Sequence, residues 1–229
     1  NYLGRNTRIL QFGADPQSAN YGKLLAEHIF QLTLNGSVAQ DRHTPVSEVL
    51  ALNATTFLVL ERDGLGRGSL ETNLAPLYKK IVLVSTEGAS NLAGTAYDLE
   101  QGAPGQLPLP ATGTALPNGL TPVARRDFVD LLDAVQLAKF GLNTRPNWDP
   151  NSLCEKWEAL ALVPLKDPAS PDDYLLLVGS DNDFKARVVY HNGVHVGTNA
   201  ITVDPMLLAY RVTLPGAGSS GKRERPKKR

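Results

Sequence analysis

The sequence predicts an all-β protein: part of a β-propeller, comprising the C-terminal blades of a larger ring, with one short helix. Three observations carry that expectation. Short apolar runs recur along the chain, separated by clusters of Gly, Pro, Asn and Asp, which is how strands are punctuated. One unit is repeated: "SEVLALNATTFLVLERDG" (47–64) reads like "WEALALVPLKDPASPDDYLLLVGSDNDF" (157–184), and internal self-similarity reports a repeated supersecondary unit. The first group is partial, because "AEHIFQLTL" (26–34) resembles the late strands "YKKIVLVST" and "LLAYRVTL". Two full groups and a fragment are too few for a ring of about four to eight blades, so the expected partners are N-terminal blades of the same protein.

Taken in order, strands are expected at 7–12, 26–34, 48–52, 56–61, 79–86, 158–163, 174–180, 186–191, 194–197 and 206–214. "VVYHNGVHV" reads as a hairpin, with Asn192-Gly193 suited to a type I′ turn. "ARRDFVDLLDAVQLAKFG" has Phe128, Leu131, Leu132 and Val135 at helical spacing, with Gly141 to end the helix. The Gly-, Pro- and Thr-rich stretch 99–123 reads as a long surface loop. The propeller portion is taken as 1–215 and a basic, disordered tail as 216–229.

Charge and composition narrow the function. Net charge is zero, but "GKRERPKKR" (221–229) carries six basic residues and one acid, leaving 17 basic and 22 acidic residues in the body. A mildly acidic body does not suit nucleic acid. No apolar run is long enough for a membrane span. Cys154 is the sole cysteine, which excludes a zinc ribbon, a CxxC redox motif and an internal disulfide framework. Asn35-Gly36-Ser37 and Asn53-Ala54-Thr55 are glycosylation sequons if the protein is secreted. No Gly-x-Ser-x-Gly elbow occurs, and "GLGRG" (64–68) lacks the Gly-Lys-Ser/Thr ending of a phosphate loop, so it reads as a turn. His191 and His195 flank the hairpin tip as turn residues, and Trp148 and Trp157 read as packing anchors.

The repeat aligns Glu48 with Glu158, and Glu61-Arg62-Asp63 with Asp181-Asn182-Asp183. In a propeller, polar residues at matching places in successive blades converge on the channel, which would gather Glu48, Glu61, Asp63, Glu158, Asp181 and Asp183.

"FLVLERDGLGRG", "KKIVLVSTEGASNLAG", "EKWEALALVPL" and "LLLVGSDNDF" resemble the phytase-like family of esterase-like propeller domains, from about Tyr21 to Leu214. The resemblance implies a longer domain extending toward the N-terminus, a secreted protein and a phosphoesterase-like activity.

Clustered carboxylates repel one another and need cations or basic neighbours. Hard oxygen ligands suit Ca²⁺, or Mg²⁺ with retained water. Glu61, Asp63, Glu158, Asp181 and Asp183 are the expected ligands, with Asn182 contributing or orienting a donor. Glu61, Asp181 and Asp183 are the expected catalytic set, activating water at phosphorus. Arg62, Lys156, Lys185 and Arg187 are expected to meet the oxygens of a phosphorylated small molecule. The rival expectation is a non-catalytic propeller that binds a protein or glycan, with structural calcium.

Overall fold

The computed structural model describes residues 5–34, 44–98, 105, 107–110, 115–117, 119–183, 188–192, 194–198 and 202–214. Its elements are β1 (Asn6–Phe12), β2 (Leu24–Gln31), β3 (Val46–Ala51), β4 (Thr56–Arg62), β5 (Lys79–Ser85), β6 (Ala124–Asp130), α1 (Ala134–Lys139), β7 (Trp157–Pro164), β8 (Asp173–Ser180), β9 (Val188–His191), β10 (Val194–Thr198) and β11 (Leu207–Thr213). The fold is therefore all-β, with one short helix. The strands form a four-stranded sheet in the order β3-β4-β5-β6, a three-stranded sheet β11-β8-β7, and the pairs β1-β2 and β9-β10. Every pairing is antiparallel, and none of these sheets closes into a barrel among the described residues.

The inner strands of the four-stranded sheet, β4 and β5, are covered on both faces. Leu58, Leu60, Ile81 and Leu83 pack against Trp157, Leu176, Val178, Leu208 and Tyr210 of the three-stranded sheet. On the other face Val59, Val82 and Val84 pack with Phe30 of β2, and Ile9 of β1 adds to that cluster. A strand buried on both faces reads as a continuous apolar run, which is why "TFLVL" and "IVLV" show no alternation. β11 is covered on one face only, and its residues alternate exposed and buried along its length.

The repeat is structural. Hairpin β3-β4 and hairpin β7-β8 both carry a bulge at the start of their first strand: Val46 pairs with Glu61 and Glu48 with Leu60, while Trp157 pairs with Ser180 and Ala159 with Gly179. This register corrects the alignment read from sequence by one residue. The bulged position is Ser47 in one hairpin and Glu158 in the other, so Glu48 is not the counterpart of Glu158. Likewise Arg62 N donates to Pro45 O as Asp181 N donates to Lys156 O, which makes Arg62 the counterpart of Asp181 and Glu61 that of Ser180.

The expected helix in 124–141 is half right. Ala124–Asp130 is a strand that pairs with β5, and only Ala134–Lys139 is helical. Asp133 caps that helix through its Oδ1, which accepts from the amides of Val135 and Gln136. Gly141 ends it in the left-handed region at φ +69°. The hairpin β9-β10 turns at Asn192, with φ +50°, as a type I′ turn requires. Much of the expected loop 99–123 and the tail beyond 214 lie outside the described residues.

"GLGRG" is more than a turn. Arg67 N donates to Leu153 O at 2.8 Å and Glu155 N to Arg67 O at 3.1 Å. A Cβ on Gly66, at φ +124°, would stand 2.7 Å from Leu153 O. The glycine permits the close approach that fastens this loop to the segment leading into β7.

The double coverage of the central sheet sets its sensitivity. Leu60→Ala is expected to cost about 3 kcal/mol in urea denaturation, whereas Leu207→Ala, on the open face of β11, should stay within about 0.5 kcal/mol.

Candidate functional site

Of the expected ligands, Glu61 and Asp63 lie where β4 ends, Glu158 at the start of β7, and Asp181 and Asp183 just beyond β8, and each meets protein donors there. β4 alternates its side chains: Leu60 faces the three-stranded sheet and Val59 the β1-β2 pair. Glu61 follows Val59 toward the β1-β2 side and Arg62 follows Leu60 toward β7.

Glu61 is fully buried. Its Oε1 accepts from Arg125 Nη1 at 3.0 Å and its Oε2 from Arg125 Nη2 at 2.7 Å, the bidentate fork that suits guanidinium to carboxylate. Oε2 also accepts from the hydroxyls of Thr33 at 3.0 Å and Tyr78 at 3.1 Å. Arg125 reaches further, to Gln31 O at 2.7 Å and over the Phe30 ring at 5.3 Å. Burial pushes the Tyr78 hydroxyl above its ordinary value, so it remains a donor.

Asp63 is equally engaged. Its Oδ1 takes Lys79 Nζ at 3.0 Å and Leu65 N at 3.2 Å; its Oδ2 takes Leu77 N at 2.5 Å and Tyr78 N at 3.0 Å. Lys79 is fully buried and also donates to Asp63 O at 3.2 Å and Glu155 O at 2.8 Å. All four carboxylate oxygens of Glu61 and Asp63 thus accept from the protein. A Ca²⁺ ion, which takes about six to eight oxygens, would have to share these carboxylates with the donors already on them.

The ends of β4 and β8 nevertheless converge, both on residues 155–158. Arg62 pairs with Glu158 of β7, and Lys79 reaches Glu155 O. From the other side Asp181 N donates to Lys156 O at 2.8 Å, and Lys156 Nζ pairs with Asp183 at 2.7 Å. Asn182 Nδ2 donates to Val203 O at 3.0 Å, which fixes its amide toward the fold. Positive and negative charges therefore alternate across the junction.

Exposure divides the junction in two. Glu61, Asp63, Arg62, Lys79 and Glu155 are buried, whereas Lys156 and Glu158 are half-buried and Asp181 and Asp183 are exposed. Arg62 is buried with its Nε bonded to nothing among the described residues. The hydrogen bond from Lys156 Nζ to Asp183 holds the Lys156 ammonium above its ordinary value. Among the described residues, no three His, Cys, Asp or Glu side chains are grouped for a metal ion. Lys185 and Arg187 lie outside the described residues, as do the side chains of His191 and His195. Cys154 is a buried free thiol whose backbone is bridged to Arg67. Sequence reasoning missed Arg125 and Lys79, the two cations on which the buried acids depend. Lys79 opens an expected strand, but the charged segment 124–130 was read as helix.

The family described as "Phytase-like: Esterase-like activity of phytase" matches residues 2–184. A relative from Arthroderma benhamiae, described as an uncharacterized secreted protein, is 31% identical over 145 residues, covering 60% of this chain. The matched part is 27% of that relative's length. No solved structure matches the chain.

Lys79 makes the junction sensitive to pH. Burial pushes its ammonium from 10.5 down to about 8, against the opposing pull of Asp63. The folded protein therefore loses this proton before the unfolded chain does, and stability rises with pH between about 8 and 10.5. Measured by urea denaturation, wild type should gain about 3 kcal/mol on Lys79→Met across that window. A constant difference between the two proteins contradicts this.

Proposed function

Because the chain belongs to the phytase-like family, we propose that it is part of a secreted phosphate-ester hydrolase acting at the open margin of the charged junction. The observation that carries the reading is the convergence of two acidic strand ends on residues 155–158, with Arg62 and Lys156 between them. Arg62 and Lys156 are the phosphate-binding groups; Lys185 and Arg187, close behind Asp183 in sequence, join them. Arg62 would meet a phosphate oxygen by exchanging Glu158 for it, its Nε being buried, and a guanidinium suits such oxygens in pairs. Glu158, Asp181 and Asp183 supply the carboxylates for water activation, while Glu61 and Asp63 hold the frame beneath them.

A calcium ion would have to draw together Glu158, Asp181 and Asp183, which are not grouped for a metal as they stand, and would replace Arg62 and Lys156 as their counter-charge. It would supply positive charge for substrate oxygens and acidify a bound water. The stacking of the β1-β2 pair, the central sheet and the β7-β8-β11 sheet supports successive blades of a propeller. The secreted description of the relative supports an extracellular protein. The exposed Asn53, whose Oδ1 accepts from Thr55 N and Thr56 N in a turn, supports a glycan site.

A second reading rests on a different observation. The acids of the buried half are fully matched by protein donors, as in a non-catalytic propeller whose junction is purely structural. It predicts no turnover, with Asp181→Asn altering stability alone.

One assay separates the two. The complete protein is tested on p-nitrophenyl phosphate and on phytate, with and without chelator. The proposal expects phosphate release, weakened by chelator and restored by Ca²⁺. Asp181→Asn and Asp183→Asn should each lower kcat by about 100-fold, and Lys156→Ala should raise KM by about tenfold. Absence of release under every condition removes the proposal and leaves the structural reading.

A further inference from the structure

A second site lies away from the charged junction, between the outer strands of the two larger sheets. β6 is an edge of the four-stranded sheet and β11 an edge of the three-stranded one. Between them, with α1 along one wall, runs an open groove of about 730 Å³. That volume lies within the range of small-molecule sites, about 300–1,000 Å³.

Three features of its lining define what it can hold. The first is aromatic: Phe128 and Phe140 are half-buried, and Phe140 packs edge-on against Tyr210 at 5.3 Å and 71°. The second is a balance of charge. Asp130 and Asp133 stand against Lys139 and Arg211, and the Arg211 fork is already committed to Asp173 at 2.6–2.8 Å. An anion meets two carboxylates here, and a cation meets two basic groups. The third is hydrogen-bonding capacity held in reserve. Asp133 uses Oδ1 to cap α1, which leaves Oδ2 for another donor. Tyr210 is 7% exposed, yet its hydroxyl has no hydrogen-bond partner among the described residues. Burial, then the charges of Asp133 and Asp130, push that phenol up to about 12, so it stays a donor beside those carboxylates. A buried hydroxyl without a partner is costly unless something supplies one.

We propose that this groove is a carbohydrate-binding site. A sugar offers an apolar C–H face to aromatic rings and a rim of neutral hydroxyls that both donate and accept. A lining that pairs aromatic surface with amide and carboxylate acceptors and carries balanced charge suits that ligand better than it suits a phosphate, an amine or a wholly apolar molecule. Gln136, half-buried on α1, adds both an amide donor and an acceptor to the wall. The site does not depend on phosphatase activity at the junction and stands or falls separately from it.

The test is titration calorimetry on the complete protein with cellobiose, maltose, α-1,2-mannobiose and N,N′-diacetylchitobiose at millimolar concentration. myo-Inositol hexakisphosphate serves as the anionic comparison, and hydrogen exchange locates any binding. The expected result is saturable binding of at least one disaccharide, with protection in 128–140 and 207–213. Ala209→Trp places a large ring in the groove from the exposed side of β11 and should abolish binding without changing Tm. Asp133→Asn keeps the helix cap, loses the charge, and should weaken binding about tenfold. The proposal is overturned if no disaccharide binds, if binding survives both substitutions, or if only the inositol phosphate protects the groove.

Discussion

The fold depends on how three ion pairs are matched at one end of the central sheet. Glu61 is held by Arg125, Asp63 by Lys79, and Arg62 by Glu158. Each match also ties that sheet to a neighbour. Arg125 continues to Gln31 O, and Glu61 accepts from Thr33, so the first pair binds the β1-β2 hairpin. Lys79 continues to Glu155 O and Arg62 to Glu158, so the others bind the segment that opens the three-stranded sheet. Three layers that pack through apolar faces are thus also fixed to one another here by directional contacts.

Such a seam is not a cheap source of stability. Desolvating a carboxylate and a guanidinium costs several kcal/mol per ion, and the pair regains this only with good geometry and satisfied lone pairs. Glu61 meets both conditions through a fork and two hydroxyls. The physical consequence is registry. Side chains alternate along β4, so a slip of one residue would swing Glu61 toward Glu158 and Arg62 toward Arg125. Like charges would then face each other on both sides of the sheet. The apolar residues of β4 tolerate such a slip far better, because Leu58, Val59 and Leu60 are buried whichever way they point. In a strand with no polar face, the charges at its end set the register.

This also explains what could be read from sequence. β4 and β5 were legible because burial on two faces makes long apolar runs, and the β7-β8 hairpin because its apolar runs are bounded by Gly, Asn and Asp turns. The repeat was legible for the same reason. Its register was not, because a bulge at Ser47 in one copy and Glu158 in the other leaves no trace in composition. β6 was hidden by its own function: an edge strand that sends Arg125 to Glu61 carries charges where a strand reader looks for apolar residues. Leu131, Leu132 and Val135, which belong to the following turn and helix, completed a false helical period. The acids themselves were visible in sequence. Their partners were not, since Arg125 lies 64 residues from Glu61 and only the sheet brings them together.

The measurement that bears most directly on this account is a double-mutant cycle between Glu61 and Arg125, using Glu61→Gln, Arg125→Met and the double variant in urea denaturation. If the seam works as described, removing either partner strands the other in a buried setting, and the coupling energy should reach about 2 kcal/mol or more. A coupling below about 0.5 kcal/mol would mean that the two side chains act independently and that apolar packing alone holds the layers together.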